Sequence, residues 1–158
     1  RRPLLLDGLT IRFLNPPPSM QTDSGKQVGT RRIERQGMLL EVTGPERTLV
    51  EGFNRPSLAG GLEELVRSAA GFTTLDLDLL EEVLRRYGLA RLWAATGWFL
   101  ERFQKSFHVP GALLTRMEER RPCSRLYAER VQRGGSLVRR WNLILPQTLL
   151  SLGEPDER

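Results

Sequence analysis

Residues 89–105 read LARLWAATGWFLERFQK and carry the clearest helical pattern in the chain. One set of side chains recurs there at intervals of three and four residues, as one face of an α-helix requires. The set consists of Leu89, Leu92, Trp93, Thr96, Phe99, Leu100 and Phe103. We therefore predict a helix over about residues 90–105 whose face formed by this set packs into the core.

The opposite side of this helix is a candidate contact face. At about 100° per residue, Trp98 points away from the centre of the apolar face, toward the side that carries Arg91, Arg102 and Lys105. An aromatic ring among cations can stack on a nucleic-acid base or fill a pocket of a partner. The alternative is that Trp98 packs beneath another element of the same domain. The pattern alone leaves both open.

Residues 43–46, TGPE, predict the start of an earlier helix that runs to about residue 54. The order matches a capping box, in which the Thr43 hydroxyl and the Glu46 carboxylate each accept a backbone N–H of the first turn. Pro45 fits the first turn because a residue there donates no helical hydrogen bond. Three further helices are predicted from their apolar spacing: over residues 58–70, from Thr74 to Gly88, and from Pro110 to about residue 120.

Strand patterns occupy both ends of the chain. Alternating apolar residues predict strands from residue 9 to 14, over 28–34, over 38–43 after a turn at Gly37, and over 137–145. Residues 19–27 are polar and predict a loop. Strands followed by helices and a returning strand predict an α+β fold, a mixed α/β arrangement. We expect one small mixed sheet, made of the N-terminal strands and the C-terminal strand, packed with four to five helices.

The domain organisation follows from these elements. We expect a linker at residues 1–8, a single domain over residues 9–150 and a charged tail at residues 151–158. Because the chain begins at Arg1 rather than Met, we expect it to be a fragment. Its apolar runs are too short to cross a bilayer, and no secretory signal is visible at its start. We therefore expect a cytoplasmic protein with no membrane partner.

Few residues are available for catalysis. Cys123 and His108 are the only residues of their types, which excludes an internal disulfide and a Cys/His zinc cluster. No nucleophile and base stand in a familiar motif, and no phosphate-binding loop is present. Asp76 and Asp78 come nearest to the paired carboxylates of a metal-dependent nuclease. The alternative is that they complement the dipole at a helix N-terminus. We expect no catalytic residue, no metal and no cofactor.

The net charge of +5 comes almost entirely from arginine, since Lys26 and Lys105 are the only lysines. Arginine matches phosphate oxygens, so an anionic partner such as nucleic acid is one interpretation. The other is that a GC-rich genome favours arginine codons. Charge balance alone does not separate the two.

Several stretches, taken in order, resemble a known family. They are residues 43–50 (TGPERTLV), residues 55–65 (RPSLAGGLEEL), the segment from LDLD at 75–78 to GWFLE at 97–101, and the ending from the glycine pair at 134–135 to RRWNLILP at 139–146. This succession resembles the C-terminal domain of AbiEi-like antitoxins of type IV toxin–antitoxin systems. The resemblance covers most of residues 9–150.

The resemblance implies a function without catalysis. Such proteins carry an N-terminal winged helix-turn-helix that binds the promoter of their own operon as a transcriptional regulator, and no such motif precedes residue 9 here. Their C-terminal domain contributes to neutralising a nucleotidyltransferase-like toxin, without a tight complex between the two. The motif residues that carry over are Pro45, Glu46, Arg47, Gly60, Gly61 and Trp98.

Arg47 is a further candidate contact residue. A cation in the first turn of a helix opposes the helix dipole, so we expect a specific pairing, either with Glu46, Glu51 or another internal carboxylate, or with an anionic partner. Three functions follow from the sequence: an antitoxin effector domain, a nucleic-acid-binding module that uses Arg47 or the helix face around Trp98, and a divergent nuclease.

Overall fold

A computed structural model describes residues 2–129 and 134–151 of the chain. The helices over these residues are α1 (Asp23–Lys26), α2 (Pro45–Asn54), α3 (Leu62–Ala70), α4 (Leu77–Tyr87), α5 (Ala90–Arg102), α6 (Gly111–Glu119) and α7 (Gln147–Leu150). The strands are β1 (Leu4–Leu6), β2 (Leu9–Ile11), β3 (Thr30–Arg35), β4 (Met38–Thr43), β5 (Leu126–Tyr127), β6 (Ser136–Val138) and β7 (Leu143–Leu145). The predicted α+β class is confirmed. Most of the predicted tail, from residue 152 onward, lies outside the described residues.

The strands form three separate sheets, so the prediction of one mixed sheet is wrong. Among the described residues, β1 pairs only with β2 and β3 only with β4, both antiparallel, whereas β5, β7 and β6 form a third sheet in that order. Each hairpin is closed by two residues with positive φ, Asp7-Gly8 and Gln36-Gly37. Such turns match the twist of antiparallel strands and favour pairing between neighbours in sequence. For the same reason residues 4–6 are a strand rather than part of the predicted linker.

The predicted C-terminal strand over residues 137–145 is interrupted. A 3-10 turn, Arg139–Trp141, separates β6 from β7, and Asn142 after it has a left-handed conformation with φ of 51°. The Asn142 amide donates to the Pro122 carbonyl over 2.8 Å, and Trp141 is fully buried. Because the Trp141 side chain is held in the core, residues 137–145 do not alternate between two faces, as the predicted strand requires.

Helix starts differ from the predictions where local hydrogen bonds decide them. Asp76, not Thr74, caps α4, because its Oδ1 accepts the Leu79 N–H over 3.0 Å. α3 begins at Leu62 rather than near residue 58, because a 3-10 turn at Pro56–Leu58 and two glycines with positive φ precede it. The predicted loop over residues 19–27 contains α1, and the fully buried Met20 lies at the end of a 3-10 turn before it.

α5 is the central helix of the core. Every residue from 92 to 100 is buried, including Trp98, of which 6% is exposed. A helix that is buried on all sides packs against neighbours in several directions, and here the neighbours are α2, α4, α6 and the turn that carries Trp141. Trp98 therefore packs inside the domain, and the contact face predicted around it is wrong.

Candidate functional site

The start of α2 is tied to the rest of the domain by Glu46. Its Oε1 accepts the backbone N–H of Asp76 over 2.8 Å, which holds the beginning of α4 against the beginning of α2. Gly44, not Thr43, is the residue before the helix, and the Thr43 hydroxyl contacts the Thr48 hydroxyl over 2.8 Å. The predicted capping box is therefore wrong, because the Glu46 carboxylate serves a distant helix instead. Pro45 occupies the first turn as predicted.

Arg47 is buried, with 8% of the residue exposed. Its Nε donates to Glu51 Oε1 over 2.7 Å, and its Nη1 donates to the carbonyls of Lys26 and Val28 over 3.0 and 3.2 Å. The chain before β3 is thereby held to α2. The internal pairing predicted for Arg47 is confirmed, and Glu51 is the carboxylate that provides it.

Glu51 connects Arg47 to Tyr87 at the end of α4. The Tyr87 hydroxyl donates to Glu51 Oε1 over 2.9 Å, so one carboxylate oxygen accepts from both neighbours. Burial of the ring and the adjacent Glu51 charge raise the pKa of Tyr87, and the cations Arg47 and Arg55 oppose that rise. The hydroxyl is therefore protonated at neutral pH and acts as a donor.

This network forms part of the wall of a pocket of about 370 Å³. Three segments far apart in sequence line it: residues 14–16, residues on α2 and the turn after it, and Tyr87. Its apolar wall includes Leu14, Pro16, Leu58 and Ala59. The sequence offered no signal for this site beyond the Arg47–Glu51 spacing, because the segments meet only in the folded chain.

Arg55 brings an available positive charge to the pocket. It directly follows α2, its side chain is exposed, and in the described part of the chain no ion pair or side-chain hydrogen bond engages its guanidinium. Arg47, in contrast, is paired with Glu51 across 2.7 Å. The combined charge of these three side chains is therefore positive, which favours an anionic ligand.

A second, wider pocket of about 920 Å³ shares Asn54, Arg55 and Leu58 with the first. Its far wall is formed by residues 126–129 around β5, and Arg91 lies within it. Arg91 donates to the Phe53 and Asn54 carbonyls over 3.4 and 3.2 Å and also to the Asn54 side chain. Arg91 therefore holds the C-terminal end of α2.

The residues of the predicted contact face do not form one surface. Arg91 contacts the end of α2, and Trp98 lies in the core. Arg102 is half-buried at the last position of α5, and Lys105 is exposed beyond it. Gly60 and Gly61, with φ of 82° and 96°, shape the turn before α3. Gly60, Gly61 and Trp98, which belong to the motif of the family resemblance, thus have structural roles in this fold.

Each N-terminal hairpin has one apolar face. In the β1–β2 register, Leu4 lies opposite Ile11 and Leu6 opposite Leu9, so these four side chains share a face. They are between 41% and 67% exposed. The other face of this hairpin carries Leu5 and Thr10.

The β3–β4 hairpin repeats this arrangement with a basic rim. Ile33 lies opposite Leu40 and Arg35 opposite Met38, with Arg31 and Val42 as the next pair on that side. We call this side and the β1–β2 face with Leu6 the apolar hairpin faces. Exposed apolar patches of this kind mark interaction surfaces in folded proteins.

Asp76 and Asp78, the carboxylates considered for a nuclease, lie at the start of α4. Asp76 caps α4, as the helix-dipole interpretation predicted, and Asp78 lies exposed in the first turn of that helix. Within residues 2–129 and 134–151, no group of three or more His, Cys, Asp or Glu side chains is arranged to hold a metal ion.

In the part of the chain that the structure describes, no helix has both the length and the apolar character needed to cross a membrane. No family model matches the chain, and no curated protein or solved structure does. Fold and site together define an α+β domain with two exposed apolar hairpins and a positively charged pocket at the end of α2.

Proposed function

We propose that the chain is the non-catalytic effector domain of an AbiEi-like antitoxin and transcriptional regulator, acting in the cytoplasm to help neutralise a nucleotidyltransferase-like toxin. The ordered motifs of the sequence support this proposal. Pro45 begins α2, Glu46 joins α2 to α4, and Gly60 and Gly61 form the turn before α3. Residues that build the fold in this way are the kind that a family shares.

The observation that carries the proposal is the pair of apolar hairpin faces. Large apolar side chains are unfavourable in water unless another surface covers them. Covering them contributes about 25 cal/mol of free energy for each Å² of apolar area that is buried. Arg31 and Arg35 at the rim favour a protein surface with an apolar centre and acidic surroundings. An effector domain that contacts a protein partner weakly, without forming a tight complex, accounts for both features.

Nucleic-acid binding is the second candidate, and the arginines of β3 favour it. Arg31, Arg32 and Arg35 of β3 are exposed, and no ion pair engages them among the described residues. Phosphate contacts by such arginines would make DNA affinity fall steeply with salt. Fluorescence anisotropy of labelled duplex DNA at low and moderate salt tests this, and a flat signal at low salt removes the candidate.

Growth rescue tests the leading proposal. A nucleotidyltransferase-like protein from the same operon is expressed to arrest growth, together with residues 1–158 or with a longer form that includes a winged-helix part. Rescue by both supports antitoxin activity within this domain. Failure of both contradicts the proposal, whereas rescue by the longer form alone places the activity outside residues 1–158.

A further inference from the structure

We propose that the pocket at the C-terminal end of α2 is a binding site for a small organic carboxylate. The carboxylate group pairs with Arg55, and the apolar body of the ligand lies against Leu14 and Leu58. This inference goes beyond the proposed function, because the site lies apart from the apolar hairpin faces and requires no protein partner.

The charges of the pocket select an anion. Arg47 and Glu51 neutralise each other through a 2.7 Å ion pair, which leaves the charge of Arg55 uncompensated beside them. The fork of a guanidinium matches the two oxygens of a carboxylate. Two arginines and one glutamate give these side chains one net positive charge, which a singly charged carboxylate matches, whereas a doubly charged phosphate monoester would leave excess negative charge beside Glu51.

A second donor is available at the base of the pocket. Arg47 uses Nε and Nη1 for Glu51 and two carbonyls, whereas no acceptor contacts its Nη2 within the described residues. Arg47 is more than nine-tenths buried, and it lines the pocket. An oxygen of a ligand in the pocket can therefore accept a charge-assisted hydrogen bond from this nitrogen.

The size and shape of the pocket limit the ligand. A volume of about 370 Å³ is at the lower end of the range for small-molecule sites, about 300–1,000 Å³. Leu14, Pro16, Leu58 and Ala59 supply apolar contacts for the part of the ligand that carries no charge. The hydrogen bonds of Glu51 to Arg47 and Tyr87 fix the polar wall, so little ordering is needed on binding.

Benzoate is a suitable probe, with benzamide as its neutral counterpart and phenyl phosphate as the competing anion. Each is titrated into isotope-labelled protein while the backbone signals of Thr48, Gly52 and Arg55 are followed by NMR. We expect saturable shifts with benzoate, none with benzamide, and weaker binding of phenyl phosphate. The Arg55→Ala variant should bind benzoate roughly tenfold more weakly or worse, as the loss of a charged hydrogen bond implies.

Arg67→Ala is the matched control, because Arg67 is an exposed arginine on α3 outside the pocket. It removes the same charge and should leave benzoate affinity unchanged. Equal weakening by both variants, or shifts spread over the whole surface, would show a non-specific charge effect and overturn the site. Tighter binding of phenyl phosphate than benzoate would overturn the carboxylate assignment, and the absence of any shift would overturn the proposal.

Discussion

The indole ring of Trp141 lies directly against the backbone of Gly97 in the central helix. A Cβ at position 97 would overlap the ring carbons Cζ3 and Cη2 and lie 2.9 Å from Cε3. The ring nitrogen donates to Glu101 Oε2 over 2.6 Å, one turn further along α5. Gly97 and Glu101 on α5 thus contact Trp141 and join the C-terminal sheet to the helical core.

Gly97→Ala should therefore destabilise the domain, although alanine favours a helix over glycine by about 1 kcal/mol. The added methyl group displaces a fully buried ring, and overpacking of this kind costs about 1–3 kcal/mol. Urea unfolding measures the difference. Gly111→Ala is the control, because a Cβ at that position meets nothing within 4 Å. Stability of Gly97→Ala equal to or above that of the wild type would contradict this packing.

Trp98→Ala and Phe99→Ala should both cost about 3–5 kcal/mol in the free energy of unfolding, because both side chains are buried in the core. Denaturant melts of the two variants under the same conditions test this. If Trp98→Ala costs much less than Phe99→Ala, Trp98 lies on a contact surface after all, as the sequence pattern allowed.

Tyr87→Phe should change how stability depends on alkaline pH. The pKa of Tyr87 in the folded protein is raised above its ordinary value of 10.0, chiefly by burial and also by Glu51. The unfolded chain then loses this proton first, so the contribution of Tyr87 is fully present below about pH 10 and is lost as the pH rises further. The wild type should lose stability above about pH 10 more steeply than Tyr87→Phe, since the variant has no hydroxyl to titrate there.

At neutral pH, Tyr87→Phe should be less stable than the wild type by about 1–2 kcal/mol, because it lacks the hydrogen bond to the Glu51 carboxylate. The cost stays modest because Glu51 keeps its hydrogen bond with Arg47. Urea melts at pH 7.5 and at high pH supply both readings. Parallel stability curves for the two proteins at alkaline pH would contradict the described surroundings of Tyr87.

Arg116→Ala should affect stability in acid. Arg116 donates to Glu81 Oε2 over 3.0 Å, and this hydrogen bond lowers the pKa of Glu81 against the opposing effect of burial. A lowered carboxyl pKa contributes stability above the unfolded value of about 4.3, and this contribution is lost as the pH falls through the folded pKa. Arg116 is half exposed, so water screens the pairing and we expect only a small loss of stability at neutral pH.

The difference in stability between wild type and Arg116→Ala should shrink as the pH falls through the lowered pKa of Glu81 in the wild type, because Glu81 is then protonated in both proteins. NMR titration of the Glu81 carboxyl carbon should show a higher pKa in the variant. An unchanged Glu81 pKa would contradict the pairing. Arg67→Ala again serves as the control for loss of one exposed charge.

The helices were the most predictable part of the fold. The residues around Phe99 recur at helical spacing over four turns, and a long pattern of this kind is hard to produce by chance. Gly88 ends α4 in a left-handed conformation, as its position predicted. Helix starts were less predictable, because Thr74 and Asp76 are both good caps and only the fold decides between them.

The sheets and the pocket were less accessible from sequence. The Asp7-Gly8 pair is a strong hairpin signal, yet β1, the first of the two strands that it joins, falls within the predicted linker at residues 1–8. The position of Trp98 stayed open because the helix-wheel argument assumes one buried face, whereas every residue from 92 to 100 of α5 is buried. Leu14 and Tyr87 line the same pocket from segments far apart in sequence, and periodicity contains no information about such an arrangement.

The most direct test of the proposed function is growth rescue by two neighbouring substitutions on β4. Leu40 lies on the apolar hairpin face opposite Ile33, whereas Leu39 lies on the other side opposite Glu34 and is the more exposed of the two. We expect Leu39→Glu to rescue growth as well as the wild type and Leu40→Glu to fail, with both variants folded by circular dichroism. Equal rescue by both would contradict a contact function for this face and with it the central claim.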